Sequence, residues 1–269
     1  MEEKSNVTNE NYYNESNNKK YMSASQFKDF LKCPSCAIAK INGEYKEENT
    51  KALMMGSYID AYFSGEMEQF KKNNSEIYNA KTGELKSDYK QCEDIINFIK
   101  EDEMLMKYLS GEHQVIITGE IAGVPFRGKI DSYFPNKLIV DQKIMKDLEP
   151  IWDEDAHCKK NVVDYWGYAI QGAIYRELVR QKTGKTLPFV LAITTKEKVP
   201  NKALLRIDDD ELDKALELVK EKAPIFQKMK LGETTPTRCG KCDYCKSTYK
   251  VLGVKSFHEI DPYKENFDY

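Results

Sequence analysis

No stretch of this chain is apolar for the roughly 20 residues that a membrane-spanning helix needs, and no segment repeats, which excludes a helical membrane span and a repeat array. A basic excess is missing as well. The formal net charge is -3 and the pI about 5.8, so the molecule as a whole lacks the positive field with which nucleic-acid proteins usually neutralise phosphates. The first residues are polar and hold no apolar core of a secretory signal. The seven cysteines are therefore expected in a reducing, cytoplasmic setting without disulfides. No linker divides the 269 residues, a length that can bury one substantial core. One domain is expected over 21–250. Residues 1–20, rich in Asn, Glu and Lys and without an aliphatic pattern, are expected to be disordered, and 251–269 form a polar tail with scattered aromatics.

What the chain does contain is a block of β-forming sequence. Val115 to Ile121 is dense in β-branched residues, Ala122-Gly123 supplies a turn, and Val124 to Phe134 continues in alternation. After a second turn at Pro135-Asn136-Lys137, Leu138 to Val140 is too short for a helix and reads as a buried third strand. Asp131 then lies on the second strand, and Asp141-Gln142-Lys143 ends the third. Alternation directs Asp141 and Lys143 to one face and leaves the backbone carbonyl of Gln142 to face the site. Two carboxylates and a carbonyl suit a hard cation such as Mg2+ or Mn2+. Such an ion polarises a phosphoryl oxygen and acidifies a bound water, and Lys143 is placed to orient that water or to stabilise the developing anion. An Asp-x-Lys step alone is as readily a solvated strand end. Its pairing with Asp131 across a hairpin is what points to phosphodiester chemistry.

With these residues in order, the chain resembles the PD-(D/E)XK nuclease superfamily, and within it the RecB-like branch that includes lambda exonuclease, RecE-type phage exonucleases and CRISPR adaptation nucleases. Tyr21 to Pro34 looks like the opening helix of that branch, and Gly56-Ser-Tyr-Ile-Asp60 looks like its Gly-x-x-x-His motif with aspartate in place of histidine. Gln171-Gly-Ala-Ile-Tyr175 is similar to its Gln-x-x-x-Tyr signature. The resemblance implies a restriction-endonuclease-like α/β core, a mixed central sheet flanked by helices. It further implies Asp131, Asp141 and the Gln142 carbonyl as metal ligands, Asp60 as a further ligand in the histidine position, Lys143 and Glu120 as catalytic residues, and Gln171 and Tyr175 as substrate-positioning groups. The implied activity is Mg2+- or Mn2+-dependent hydrolysis of DNA, most simply as an exonuclease of the phage recombination type. Its partners would be DNA and a single-strand annealing or recombination protein, with an oligomer encircling the substrate. An endonuclease, a catalytically silent DNA-binding scaffold and a thiol-metal interaction module are the alternatives.

The cysteines carry a separate signal. Cys239, Cys242 and Cys245 form two overlapping C-x-x-C steps, a metal-ligand spacing that lacks one thiolate, and Cys33 or Cys36 can supply it. The resemblance implies a four-iron iron-sulfur cluster held by Cys33 and the three C-terminal cysteines. Cys36 permits instead a zinc site made of Cys33, Cys36 and two of the C-terminal thiols. Cys92 and Cys158 read as ordinary core or surface thiols.

Elsewhere, apolar residues from Val162 to Leu178 recur at steps of three and four, which predicts one long helix with Gln171 and Tyr175 on the edge of its apolar stripe. Pro188–Thr195 and Ala203–Ile207 read as strands, and Asp208 to about Lys222 as a helix interrupted near Pro224. Arg127, Lys129, Lys143, Lys146, Lys159 and Lys160 surround the proposed site in sequence and are expected to supply local positive charge.

Overall fold

Strands form where apolar and polar residues alternate: β1 (Glu112–Ile121), β2 (Val124–Phe134) and β3 (Leu138–Met145). The computed structural model describes residues 7–251 together with 253, 254 and 256. β4 (Ile151–Asp153) and β5 (Cys158–Lys160) make a separate hairpin, and β6 (Phe189–Thr195) and β7 (Lys202–Arg206) complete the main sheet. Its order is β1-β2-β3-β6-β7, antiparallel except for the parallel pair β3-β6. A parallel neighbour requires a crossover, and the helix Tyr168–Thr183 provides it.

Period-two alternation divides the core between the two faces of the sheet. Ile139 of β3 with Phe189, Leu191 and Ile193 of β6 joins the core of the helices Ala24–Lys32, Tyr168–Thr183 and Asp209–Lys230. Val140 and Ala192, between them in sequence, join the core of the helices Lys51–Phe63 and Ser87–Lys100. Apolar residues are therefore needed on both sides, which is why every position of β6 is buried. The result is the mixed central sheet flanked by helices that the sequence implies. Among the described residues no helix is long and apolar enough to cross a membrane.

Several elements differ from their sequence expectation for identifiable reasons. β3 runs past Val140 to Met145 because its parallel register with β6 continues from Ile139↔Phe189 to Met145↔Thr195. The expected long helix divides into Val162–Tyr165 and Tyr168–Thr183, since Gly167 at φ +61° breaks the helix between them, and Trp166 is exposed. The helix Asp209–Lys230 does not stop at Pro224. Val219, Ala223 and Phe226 are buried on one side of it, with Phe226 stacked on Phe30 at 5.0 Å, and this packing offsets the hydrogen bond that proline removes.

Within the N-terminal arm, Asn14 caps the helix Glu15–Lys20 by accepting the Asn17 N–H at 2.8 Å, and Val7, Tyr12 and Tyr21 pack together against Ile116. Aromatic rings and asparagine caps anchor this arm. The proposed tail 251–269 lies almost wholly outside the described residues.

Candidate active site

β2 and β3 pair as a ladder only from Phe134↔Leu138 to Ser132↔Val140, and then they diverge. Asp131 and Asp141 are the first residues beyond the last rung, one on each strand. The fork therefore sets both carboxylates on the wall of a cleft of about 1020 Å³. Asp131 Oδ2 accepts the Gln142 N–H at 2.9 Å, so a side chain takes over the bond that the next rung would have made. Asp141, only 1% exposed, accepts Gln171 Nε2 on Oδ1 at 2.7 Å and pairs with the Lys143 ammonium through Oδ2. The same ammonium donates to the Gln142 carbonyl at 3.3 Å.

The crossover helix is held close enough to deliver its amide. A Cβ at Gly128 would lie 2.7 Å from the Tyr175 ring, and one at Gly172 would lie 2.6 Å from Phe189, so only glycine admits this approach. Gln171 Nε2 also donates to the Tyr175 hydroxyl at 3.2 Å, which makes Gln171 a bridge between the phenol and Asp141. Tyr175 is buried, and that burial pushes its hydroxyl well above the ordinary range.

At the fork, buried carboxylates crowd one another. Burial, reinforced by the charges of Asp141 and Asp60, raises the Asp131 carboxyl well above its usual value. Asp60, on the helix Lys51–Phe63, is raised by burial, with Lys129 and Lys143 pulling against it. Burial disfavours the Lys143 charge, yet Asp141 and Asp131 outweigh it and hold the ammonium protonated. Neighbouring buried carboxylates that raise one another are a setting that a divalent cation would relieve. Asp131, Asp141 and the Gln142 carbonyl are hard oxygen donors of the kind that Mg2+ and Mn2+ accept. Asp60 also lines the cleft, but it does not close with both aspartates into a group of three oxygens within 4.8 Å.

Glu120 is not brought to this place. It is exposed and sits opposite Pro125, six residues along β2 from Asp131, or about 20 Å at the rise of a strand. Its carbonyl and N–H are instead occupied by the Gln181 amide, at 2.7 and 3.1 Å. The residue across from Asp131 is Gln114, which falls between the pairs His113↔Ser132 and Val115↔Ile130. Gln114 lines the cleft at φ +53°, and its buried Oε1 has no partner among the described residues.

Of the expected cations, Arg127, Lys129, Lys143 and Lys146 line the cleft. Lys159 and Lys160 sit on the β4-β5 hairpin instead, where Lys160 pairs with Asp153 at 2.8 Å. Sequence reasoning missed the aromatic wall beside these charges. The Tyr12 ring covers the Arg127 guanidinium at 4.6 Å, and Lys129 Nζ lies 5.4 Å from the Tyr13 ring, which is 71% exposed. Lys28 was missed too: burial and the neighbouring Lys143 charge push its ammonium down to about 8. Adjacent tyrosines in an otherwise polar arm were the available signal.

The thiols gather where the segment after the helix Asp209–Lys230 meets Cys33. Sγ atoms of Cys33, Cys239, Cys242 and Cys245 all lie within 4.8 Å of one another, whereas Cys36, though buried beside them, is not part of that group. Ser35 ties the two chain segments together, its Oγ donating to the Pro236 carbonyl at 2.8 Å and its N–H to the Thr237 carbonyl at 3.0 Å. Cys92 is buried in the core and Cys158 is exposed, as expected.

A crystal structure of a "putative exonuclease" from Eubacterium rectale is similar at 43% identity, with a TM-score of 0.89 over 94% of this chain and 97% of that one. A second solved structure, SSO0001, aligns at 14% identity over 81% of this chain and 92% of that one, with a TM-score of 0.30 that carries no argument. No curated protein matches. The family profile described as a PDDEXK-like domain of unknown function, DUF3799, matches residues 23–248, a span that includes the forked sheet, the crossover helix and all four clustered thiols. This chain therefore belongs to the PDDEXK-like domain family, within the PD-(D/E)XK superfamily.

Proposed function

We propose that this protein is a divalent-metal-dependent deoxyribonuclease that digests DNA from an end, as the exonuclease name of its 43%-identical neighbour suggests. The observation that carries this reading is the convergence of Asp131, Asp141 and Lys143 at the β2-β3 fork, with Gln171 fixing Asp141 from the crossover helix. Asp131, Asp141 and the Gln142 carbonyl would hold Mg2+ or Mn2+. Bound there, the ion supplies polarisation of the phosphoryl oxygen and a water acidified for attack.

The chain's own groups do the rest. Lys143 stays protonated and stabilises negative charge that builds on the phosphoryl oxygens. Gln171 holds Asp141 Oδ1 and Lys143 holds Oδ2, so the carboxylate is fixed in orientation at the fork. Arg127, Lys129 and Lys146 give the cleft a local positive lining although the whole chain carries -3. The exposed Tyr13 ring beside Lys129 suits stacking of an unpaired base at a DNA end.

Incubation with linear and covalently closed circular DNA plus Mn2+ tests the proposal. Linear DNA should shorten to mononucleotides while the circle survives, and Asp141→Asn and Lys143→Ala should each lose about 100- to 1000-fold in rate. Nicking of the circle assigns an endonuclease instead. Binding of DNA without cleavage of either form, unchanged by Asp141→Asn, assigns a silent scaffold.

A further inference from the structure

The cluster of thiols takes no part in the reaction proposed above. Cys33 stands between the helices Ala24–Lys32 and Pro34–Ile41, and Cys239, Cys242 and Cys245 follow the last long helix, some two hundred residues later. The RecB-like resemblance implies a four-iron cluster at this place, and the sulfur geometry does not fit one. In such a cluster each thiolate binds a different iron of a cube and points outward, which spaces the sulfurs roughly 6 Å apart. Here Cys33 Sγ and Cys245 Sγ are 3.6 Å apart, Cys239 Sγ and Cys245 Sγ are 3.9 Å apart, and no pair among the four exceeds 4.8 Å. Four sulfurs around one tetrahedral ion, each at the Zn–S length of about 2.3 Å, lie about 3.8 Å from one another.

We infer that Cys33, Cys239, Cys242 and Cys245 hold a single tetrahedral zinc ion, and that this ion is structural. Two backbone bonds of the kind that stabilise thiolates are already in place, from the Cys242 N–H to Cys239 Sγ and from the Cys245 N–H to Cys242 Sγ, both at 3.4 Å. Cys33 and Cys245 are almost fully buried, at 2% and 1% exposure. Four protein ligands leave no position open for water or substrate, so the site closes the fold without doing chemistry. Cys36, which the sequence offered as a zinc ligand, stays outside the coordination shell. The inference is independent of the nuclease reading and stands whether or not the cleft cuts DNA.

Metal analysis of the full chain, purified without oxygen from cells supplied with both iron and zinc, decides it. The expected result is one zinc per chain, no acid-labile sulfide and no visible colour, with exchange into Co2+ producing the intense visible bands of a tetrahedral cobalt thiolate. Iron and sulfide at about four per chain would overturn the inference. So would a folded protein without bound metal, or a cobalt form lacking tetrahedral bands. Cys36→Ser should keep its zinc and Cys239→Ser should lose it, and the reverse pattern overturns the ligand set. If Cys239→Ser does not fold, the metal content and cobalt spectrum of the unaltered chain still decide.

Discussion

Gln171 touches both the carboxylate most deeply buried at the fork and the phenol behind it, and its removal has a foreseeable result. Gln171→Ala leaves Asp141 Oδ1 without its 2.7 Å donor and leaves Lys143 alone to hold the carboxylate. Loss of such a supporting bond should weaken Mn2+ binding about 10- to 100-fold while the fold persists, measurable by titrating Mn2+ against cleavage rate. Glu120→Gln should change neither rate nor metal affinity, because Glu120 lies at the far end of the hairpin. These two residues show what the sequence made legible. Asp131, Asp141, Lys143, Gln171 and Tyr175 could be placed because each belongs to a strand or helix whose period is visible in the residues themselves. Glu120 was misplaced although the signal was there: the two-residue turn Ala122-Gly123 sets the register of β1 on β2, which puts Gln114, not Glu120, across from Asp131. Tyr12 could not be placed this way, since its partner Arg127 is more than a hundred residues distant and no periodicity links them.

The elements matter here through the separation they hold. Gly128 of β2 lets the helix Tyr168–Thr183 lie close enough for Gln171 to reach Asp141, so Gly128→Ala should push the Tyr175 ring outward and carry Gln171 with it. Overpacking of this sort destabilises by about 1–3 kcal/mol. A loss of activity larger than the loss of stability would show that it is the delivery of the amide that suffers. Pro224→Ala acts in the opposite direction: it restores a donor inside a continuous helix whose packing is already set by Ala223 and Phe226. Thermal denaturation should show a gain of about 2–2.5 kcal/mol, the helix-interior penalty of proline less the rigidity it gives the unfolded chain. That helix was expected to run only to about Lys222, interrupted near Pro224, because local sequence carries the penalty but not the aromatic contacts with Phe27 and Phe30 that offset it. The helix Ser87–Lys100 illustrates the converse. Its buried residues Tyr89, Cys92, Ile95, Ile96 and Ile99 are spaced by threes and fours, so a helical period was present in a segment to which no element had been assigned.

At the scale of the molecule, the overall charge of -3 conceals a fork at which buried carboxylates crowd one another. A carboxyl whose pKa is higher in the folded chain than in the unfolded one binds more protons when folded. Stability then rises as pH falls through the folded value and levels off below the unfolded one. Asp131 and Asp60 are both of this kind, raised first by burial and then by neighbouring carboxylates. Asp102 and Asp153 are lowered by their bonds to Lys202 and Lys160, so their opposite contribution fades only at pH values below the ordinary carboxylate range. Metal-free protein should therefore hold or gain thermal stability as pH drops from about 7.5 to about 5.5, whereas Mn2+ should reverse the slope because protons compete with the ion for the same oxygens. At pH about 7.5 and Mn2+ 100-fold above its dissociation constant, binding contributes about 2.7 kcal/mol, or a rise in Tm of about 5–10 °C for a chain of this size. Asp131→Asn removes the buried charge itself, so it should raise the Tm of the metal-free protein at neutral pH, flatten its pH profile and erase most of the Mn2+ shift. Melting curves of both proteins across that pH range, with and without Mn2+, measure all three effects. A metal-free Tm that falls steeply with acid and ignores Mn2+ would mean that these carboxylates are satisfied by the protein alone and are not waiting for an ion.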